Sequence, residues 1–222
     1  MASEHKQTNR YNVPQATLIS PHGVWITEKK SRFFAQACHC PTPALAREFA
    51  ARIATKFPDA THNCFAFVAG PPGDTSRIGC SDDGEPHGTA GRPMLTALLG
   101  SGVGEICVVV SRWFGGVKLG TGGLVRAYRA AVLENLATLP LKTFMPVLQM
   151  EFALPYASID AFQRGLPAIE GEVLESCYQD TARFKVQVPA ENSKNLADLA
   201  ASLGAAQVEP EKKINFKIKM ER

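Results

Sequence analysis

The sequence has few of the features that mark secreted or membrane proteins. Its apolar runs, such as Ile106–Val110, are far shorter than the roughly 20 residues of a membrane-spanning helix. The N-terminal stretch MASEHKQTNRYNVPQ is polar and has no apolar core of the kind found in signal peptides. The 6 cysteines follow no regular framework, which favours reduced thiols over disulfides. We therefore expect a cytoplasmic protein that does not contact a membrane.

Several catalytic signatures are missing as well. The sequence contains no G-x-S-x-G motif, so it has no hydrolase nucleophile elbow. Gly115 and Gly120 have the glycine spacing of a Walker loop, but no lysine directly follows the second glycine. Gly100, Gly102 and Gly104 do not complete the G-x-G-x-x-G order of a dinucleotide-binding loop. The common nucleotide-binding loops are therefore excluded.

The chain also lacks a strong charge of either sign. Its formal net charge is +3, so a surface for nucleic acid would have to arise from local clustering of cations. The 222 residues, 45% of them hydrophobic, suffice for one large domain or two small ones with a buried core.

Sequence patterning divides the chain into three segments. Residues 1–15 are predicted to be a polar tail, residues 16–140 an N-terminal α/β domain and residues 141–222 a smaller second domain, which together define an α+β fold class. In the first domain, apolar residues at four-residue spacing predict a helix that starts at Thr42 or Pro43 and ends at Pro58. The other elements predicted there are strands at Val24–Thr27, Arg32–Cys40, His62–Val68 and Glu105–Ser111, the last buried on both faces, and helices at Arg92–Leu99 and from Gly122 to near Pro140.

Beyond Pro140 the composition and the pattern of the sequence change. Glycine becomes sparse, and the pattern is strand–helix–strand–strand–helix–strand, which is the order of a ferredoxin-like module. The predicted elements are Phe144–Leu154, Ser158–Leu166, Glu172–Gln179, Arg183–Pro189, Asn192–Leu203 and Lys213–Met220.

Glycine is concentrated in one block. Twelve of the 18 glycines fall between Gly79 and Gly123, although each glycine costs conformational entropy on folding. From Ser111 to Arg129 the block has cations but no acid, and its last glycines precede a predicted helix, whose exposed amides attract anions. We predict a site for a phosphate, phosphodiester or carboxylate; the alternative is a tight turn rimmed by solvated cations. The candidate anion- or nucleic-acid-binding residues are Arg112, Gly115, Gly116, Lys118, Gly120, Gly122, Gly123, Arg126 and Arg129.

An acidic turn precedes this block and contains Asp82, Asp83 and Glu85. Closely spaced carboxylates could hold Mg²⁺ or supply a general base. They could instead cap helix ends, or pair with Arg92 and Arg112 and so brace the loop. We favour the bracing role, because the spacing matches no calcium loop and Asp, Gly and Pro are ordinary turn residues. No metal or other cofactor is assigned from the sequence.

Two further patterns have alternative interpretations. Cys38 with Cys40, and His62 with Cys64, lie at alternate positions of two strands and would approach zinc geometry if those strands paired. We favour thiols that fill the core, because C-x-x-C is absent. Trp113 and Phe114 follow the buried strand and could stack on unpaired bases, or could be core residues.

Two motifs resemble a known family. The segments SDDGEP-x-GTAG-x-P and V-x-R-W-F-GG-x-KLG-x-GGLVRAY, together with Asp59-Ala60-x-His62-x-Cys64, are similar to the signature of the IMPACT/YigZ family across the N-terminal domain. The resemblance implies a first domain like domain IV of elongation factor G and some ribosomal proteins, and a ferredoxin-like second domain as in the bacterial members. Eukaryotic relatives act on translational control through a protein partner, with help from an additional domain that the resemblance does not cover, so that mechanism is not carried over.

These patterns lead to two main functional hypotheses. The first is a non-enzymatic regulatory protein of translation that binds RNA, a ribosomal surface or a protein partner through the cationic glycine turn. The second is an enzyme that acts on a phosphorylated or carboxylated small molecule, with the acidic turn as a magnesium site or base. A third possibility is an adaptor in which the block serves folding. We favour the first.

Overall fold

The computed structural model describes residues 10–208 and 214–219, the latter by backbone only. The chain divides into two compact units. One comprises Tyr11–Thr143, and the other, among the described residues, comprises Arg10 and the residues from Phe144 onward. Each unit is described below by itself.

The first unit combines six strands with three helices. The strands are β1 (Tyr11–Pro14), β2 (His22–Glu28), β3 (Ser31–His39), β4 (His62–Val68), β5 (Ile78–Ser81) and β6 (Ile106–Trp113), and the helices are α1 (Pro43–Lys56), α2 (Gly91–Leu99) and α3 (Thr121–Thr138). Five of the strands form an antiparallel sheet in the order β2-β3-β6-β4-β5. The central strand is therefore β6, which leads directly into the glycine-rich turn.

Helices cover both faces of this sheet. On one face α2 and α3 enclose a core that includes Phe33, Met94 and Tyr128. On the opposite face α1 packs on a second core that includes Phe49 and Val109. Because β6 lies between the two layers, Ile106–Val110 are all fully buried, as their near-continuous apolar sequence predicts.

Local sequence explains where the first helix begins and ends. The Thr42 side chain accepts a hydrogen bond from the Leu45 amide, and Pro43 occupies the first helical position. The helix ends before Pro58, which cannot continue it. Its buried residues, Ala46, Phe49, Ala50 and Ile53, recur every three to four positions, which produces one apolar face.

Two short strands of this unit are not predicted from the sequence. Tyr11–Pro14 form β1, although they fall in the segment assigned to a polar tail, and residues 1–9 of that tail lie outside the described residues. Ile78–Ser81 form the edge strand β5. Four residues give too little alternation to signal a strand, so pairing with β4 decides the second case.

The second unit follows the predicted order strand–helix–strand–strand–helix–strand, with one additional short strand, Ala206–Val208, that the sequence pattern does not predict. It contains β7 (Leu141–Leu154, which begins in the first unit), α4 (Ile159–Gly165), β8 (Glu172–Tyr178), β9 (Ala182–Pro189), α5 (Ser193–Ser202), β10 (Ala206–Val208) and β11 (Ile214–Lys219). Antiparallel pairing gives the order β8-β9-β7-β10, and β11 also pairs with β7. A separate core, built around Phe152, Phe162 and Phe184, holds α4 and α5 against the sheet.

Taken together, the structure is a mixed α/β fold with two antiparallel sheets and five α-helices among the described residues. Within that part of the chain, none of the helices has the length and apolarity needed to cross a membrane.

Candidate functional site

The first carboxylate of the acidic turn, Asp82, caps the start of α2. Asp82 accepts hydrogen bonds from the amides of Gly88, Ala90 and Gly91, at 2.8, 3.0 and 2.8 Å. Partial burial acts to raise the pKa of Asp82, but these three amide bonds outweigh burial, and the pKa is lowered overall. Asp82 thus supplies the cap that Ala90, at the N-cap position, cannot provide.

Asp83 binds the beginning of β4. Its side chain accepts a 2.6 Å hydrogen bond from the Asn63 amide, and its carbonyl lies 2.7 Å from His62 Nδ1. The backbone at Asp83 has a φ of 41°, and the next residue, Gly84, has a φ of 82°. The left-handed pair turns the chain so that Glu85 points inward, away from the two aspartates.

Glu85 belongs to a buried polar cluster. Its Oε1 accepts from Arg112 Nη1 at 2.5 Å and from Tyr128 Oη at 2.8 Å. The side chains of Glu85 and Arg112 are only 3% and 7% exposed. A buried ion pair of this kind costs much desolvation, but removing one partner typically destabilises a fold by about 3–5 kcal/mol, because the other charge is left alone. The cluster therefore locks the acidic turn, β6 and α3 together.

The phenol and thiol next to this pair remain neutral. Burial raises the pKa of Tyr128 well above its ordinary value, and the nearby Cys64 and Glu85 raise it further. Burial likewise raises the pKa of Cys64, whose sulfur lies 3.4 Å from Tyr128 Oη. Tyr128 therefore acts as a hydrogen-bond donor to Glu85 across the physiological range.

A cleft of about 330 Å³ opens beside this cluster. Its wall brings together one residue of the acidic turn, Glu85, and three candidates of the cationic glycine turn, Arg112, Lys118 and Gly120. The other lining residues are Thr61, His62, Pro86, Phe114, Leu119, Thr121 and Leu124. The acidic and cationic turns therefore meet in one cleft, although Asp82 and Asp83 do not line it.

The guanidinium of Arg112 has an unusual environment in this cleft. It lies 5.6 Å from the ring centroid of Phe33 and 5.8 Å from that of Phe114, in cation–π range of both. Its Nε is buried and has no hydrogen-bond partner. Glu85 offsets much of the charge of Arg112. Lys118 also lines the cleft, is exposed, and has no acidic partner among the described residues.

The start of α3 forms one end of the cleft. Gly120, with a φ of 72°, occupies the N-cap position, and the first turn of α3 has neither a side-chain cap nor an acidic residue. The first amides of a helix have no partner within it, so this turn presents free N–H groups and the positive end of the helix dipole. A Cβ atom at Gly122 would lie 3.6 Å from Arg126 Nη1, which places that guanidinium at the same helix start.

The remaining candidate glycines have different roles. A Cβ atom at Gly115 would lie 2.0 Å from the Lys30 carbonyl carbon and oxygen, so Gly115 allows close packing against the β2–β3 turn. Gly116 has a φ of 85° and open space around it. At Gly123 a Cβ atom would lie 3.0 Å from that of Leu119. Arg129 is exposed on α3 and does not line the cleft.

His62, Tyr128 and Phe114 also belong to this site, although the sequence does not predict them as a group. Tyr128 recurs with Leu124 and Val132 on the apolar face of α3, where its ring is fully buried, so only its hydroxyl distinguishes it from a core residue. His62 Nε2 lies 3.8 Å from Glu85 Oε2. Its alternation with Cys64 on β4 is the available sequence signal, and that pattern raises only a zinc site or core thiols, of which core thiols are favoured.

The zinc arrangement requires β3 and β4 to pair, and they do not. Strand β6 lies between them, with Cys38 opposite Cys107 and Cys64 opposite Val110. Cys38 and Cys40 pack in the core under α1, whereas Cys64 packs in the core on the other face. Among the described residues, no three His, Cys, Asp or Glu side chains are grouped to hold a metal ion. These thiols fill the two cores.

The geometry defines a class of protein: an α/β unit with a glycine-rich helix start and a buried Glu–Arg–Tyr cluster, followed by a smaller α/β unit. Comparison with known proteins identifies the family. Residues 29–136 match the family model of the Impact N-terminal domain. A crystal structure described only as that of a hypothetical protein has 37% sequence identity and a TM-score of 0.62, and the match covers 92% of this chain and 98% of that one.

Curated relatives lead to the same family. The IMPACT family member YigZ of Escherichia coli (strain K12) is 42% identical over 192 residues, which cover 84% of this chain and 94% of the relative. The IMPACT family member YvyE of Bacillus subtilis (strain 168) is 33% identical over 80% of this chain and 81% of the relative. Protein IMPACT of Bos taurus is 35% identical over 50% of this chain and 35% of the relative. The chain belongs to the IMPACT family.

Proposed function

We propose that this protein is a translation-associated regulatory protein that binds RNA through the cleft at the start of α3. The proposal rests on one observation: Lys118 and Arg126 both lie at the start of α3, which has no side-chain cap. Free amides, a helix dipole and unpaired cations together bind phosphate oxygens. Tyr128 of α3 donates to Glu85, which pairs with Arg112 of β6, so this buried cluster holds α3 against β6.

The fold supports an RNA-related role by analogy. We propose that the first unit has the architecture of domain IV of elongation factor G and some ribosomal proteins, and that the second is ferredoxin-like. The order β7-α4-β8-β9-α5-β10 and the antiparallel sheet support the second assignment. Related folds host different activities, so the proposed RNA binding rests on the residues of the cleft. A cytoplasmic location belongs to the same proposal.

The test is RNA binding as a function of salt. We expect a fluorescein-labelled single-stranded RNA to bind the full chain with an affinity that falls as the salt concentration rises, because bound phosphates release counterions. Replacing Lys118→Ala should weaken binding at low salt and reduce the slope of log affinity against log salt by about 1. Arg126→Ala should act in the same direction.

Two features of the design keep the result interpretable. Lys194→Ala, which removes an exposed lysine on α5 in the other unit, should leave affinity and slope unchanged. Arg112→Ala is unsuitable, because it leaves Glu85 buried without its partner and destabilises the fold. Absence of RNA binding at low salt would overturn RNA as the ligand. Equal slopes for the Lys118→Ala and parent chains would overturn the cleft as the RNA-binding site.

The enzyme hypothesis receives no support from the site. Asp82 and Asp83 are bonded to backbone amides, and Glu85 is paired with Arg112 and Tyr128. The three carboxylates therefore point to different internal partners instead of converging on one ion. No observation among the described residues assigns a magnesium ion or a catalytic base to this turn.

A further inference from the structure

The structure carries a second surface that the cleft does not use. We infer that an aromatic surface, made of Trp25, Phe34, Phe57 and Trp113 with Arg32, stacks on unpaired bases of single-stranded RNA. This inference rests on the proposed function, because it supplies base contacts to an RNA whose phosphates the cleft binds. The surface lies on the α1 side of the sheet, whereas Glu85 and Tyr128 belong to the side of α2 and α3.

The rings form one continuous cluster. Trp25 stacks on Phe34 with centroids 4.4 Å apart and an interplanar angle of 13°. Trp113 lies 5.3 Å from Trp25, and Phe57 meets both Phe34 and Trp113 edge-on at 5.8 and 5.7 Å. Trp25 remains 52% exposed. An indole with half of its surface in water can stack on a base, whatever the identity of that base.

Cations are interleaved with these rings. The Arg32 guanidinium lies 5.7 Å from the Trp25 centroid and 5.6 Å from that of Trp113, yet the residue is exposed. Lys56 lies 5.5 Å from the ring centroid of Phe57. Glu28 lies at the end of β2, and Asp59 accepts a hydrogen bond from Trp113 Nε1. The surface combines flat apolar faces with the cations Arg32 and Lys56, which favours a polyanion with exposed bases over an apolar protein partner.

The turn between β2 and β3 adds two more lysines at an energetic cost. Glu28 pairs with Ser31, so the loop consists of Lys29 and Lys30, whose φ values are 44° and 70°. A two-residue hairpin with both residues in the left-handed region is normally Asn-Gly or a similar pair, since other side chains are strained there. Retaining two lysines in this conformation favours a role for their charge.

This turn also connects the two surfaces. Gly115 lies against the Lys30 carbonyl, and the Gly115 amide donates to Ser31 Oγ at 3.2 Å. The three consecutive residues Trp113, Phe114 and Gly115 lead from one surface to the other. Trp113 belongs to the aromatic surface, Phe114 lines the cleft, and Gly115 contacts the lysine turn. An RNA strand whose phosphates lie at the start of α3 can therefore continue past the lysine turn onto the aromatic surface.

The chain provides its own probe for this surface. Its 2 tryptophans are Trp25 and Trp113, so all tryptophan fluorescence reports on the aromatic surface. We expect an oligouridylate of about 12 nucleotides to quench this fluorescence on titration into the full chain, because stacked bases quench indoles. Trp25→Leu should lower the affinity, measured by anisotropy of the labelled oligomer, about 10-fold, whereas Trp25→Phe should retain most of it.

Matched variants separate this inference from the proposed function. Arg92→Gln removes an exposed arginine on α2 away from the surface and should bind like the parent chain, whereas Arg32→Gln should weaken binding. Lys118→Ala should weaken binding and still show quenching at saturating RNA. If Lys118→Ala weakens binding while Trp25→Leu does not and no quenching occurs, only the aromatic surface is refuted.

Other outcomes also decide between ligands. Failure of every variant and of the parent chain to bind RNA would refute the proposed function and this inference together. Equal affinity for duplex RNA would overturn base stacking, because paired bases are not accessible. Equal affinity for the corresponding DNA oligomer would overturn RNA as the ligand. Quenching by an apolar peptide but by no nucleic acid would identify a protein-binding surface instead.

Discussion

At the scale of single residues, three neighbouring carboxylates take different roles because their surroundings differ. Asp82 receives three amide hydrogen bonds, Asp83 receives one, and Glu85 is buried against an arginine and a tyrosine. The sequence predicted bracing as one of several roles for the group, but its spacing contains nothing that separates the three. The separation depends on the left-handed backbone at Asp83 and Gly84.

The lowered pKa of Asp82 gives a prediction about acid stability. A carboxyl whose pKa is lower in the folded than in the unfolded state stabilises the fold above its unfolded pKa, about 3.9, and loses that effect as the pH falls through the folded value. We expect Asp82→Asn to reduce the free energy of unfolding by about 1–2 kcal/mol at neutral pH. The difference from the parent chain should shrink below a pH of about 4.

Urea denaturation across this pH range measures the effect. Asp198→Asn, which changes an exposed acid on α5, is the control and should follow the parent chain. A difference between Asp82→Asn and the parent chain that stays constant down to a pH of about 3 would show that the charge of Asp82 does not stabilise the start of α2.

At the scale of elements, the glycine turn serves packing in addition to the binding that we propose for it. The sequence pattern predicts that all five of its glycines let an anion approach the backbone. In the structure, Gly115 is approached by the Lys30 carbonyl, whereas Gly120 begins α3 at the cleft. Composition marks where glycine is frequent, but the neighbour that requires Gly115 lies in the β2–β3 turn, about 85 residues earlier in the chain.

The two adjacent glycines of this turn should differ in their tolerance of alanine. Gly115→Ala should cost about 3 kcal/mol of unfolding free energy, because its Cβ atom would lie 2.0 Å from the Lys30 backbone. Gly116→Ala meets nothing within 4 Å, so it should cost about 1–2 kcal/mol through its positive φ alone. Chemical denaturation of both variants tests the order. A larger loss for Gly116→Ala would contradict the packing role of Gly115.

At the scale of the whole molecule, the two units have separate cores. The first unit contains two core clusters, one on each face of its sheet, and the second contains a single cluster around three phenylalanines. The described buried residues of each cluster all belong to one unit. Each unit therefore has the apolar interior that an independently folding domain requires.

We accordingly expect the segment Tyr11–Thr143 to fold when produced alone. Its urea unfolding, followed by circular dichroism, should be cooperative, because both of its core clusters are complete within it. The full-length chain serves as the reference for its spectrum. A gradual, non-cooperative transition of the isolated segment would show that its stability depends on the second unit.

The sequence by itself determined the local structure and the location of the glycine-rich turn. Periodicity, proline and capping residues placed α1, β4 and the doubly buried β6 close to their observed bounds, since these signals act over a few residues. Tertiary structure decided which side chains meet. Inserting β6 between β3 and β4 put Cys38 and Cys64 on opposite faces, paired Glu85 with Arg112, and assembled the aromatic surface from three strands and the end of α1. These outcomes follow from strand order and long-range packing, which no local pattern encodes.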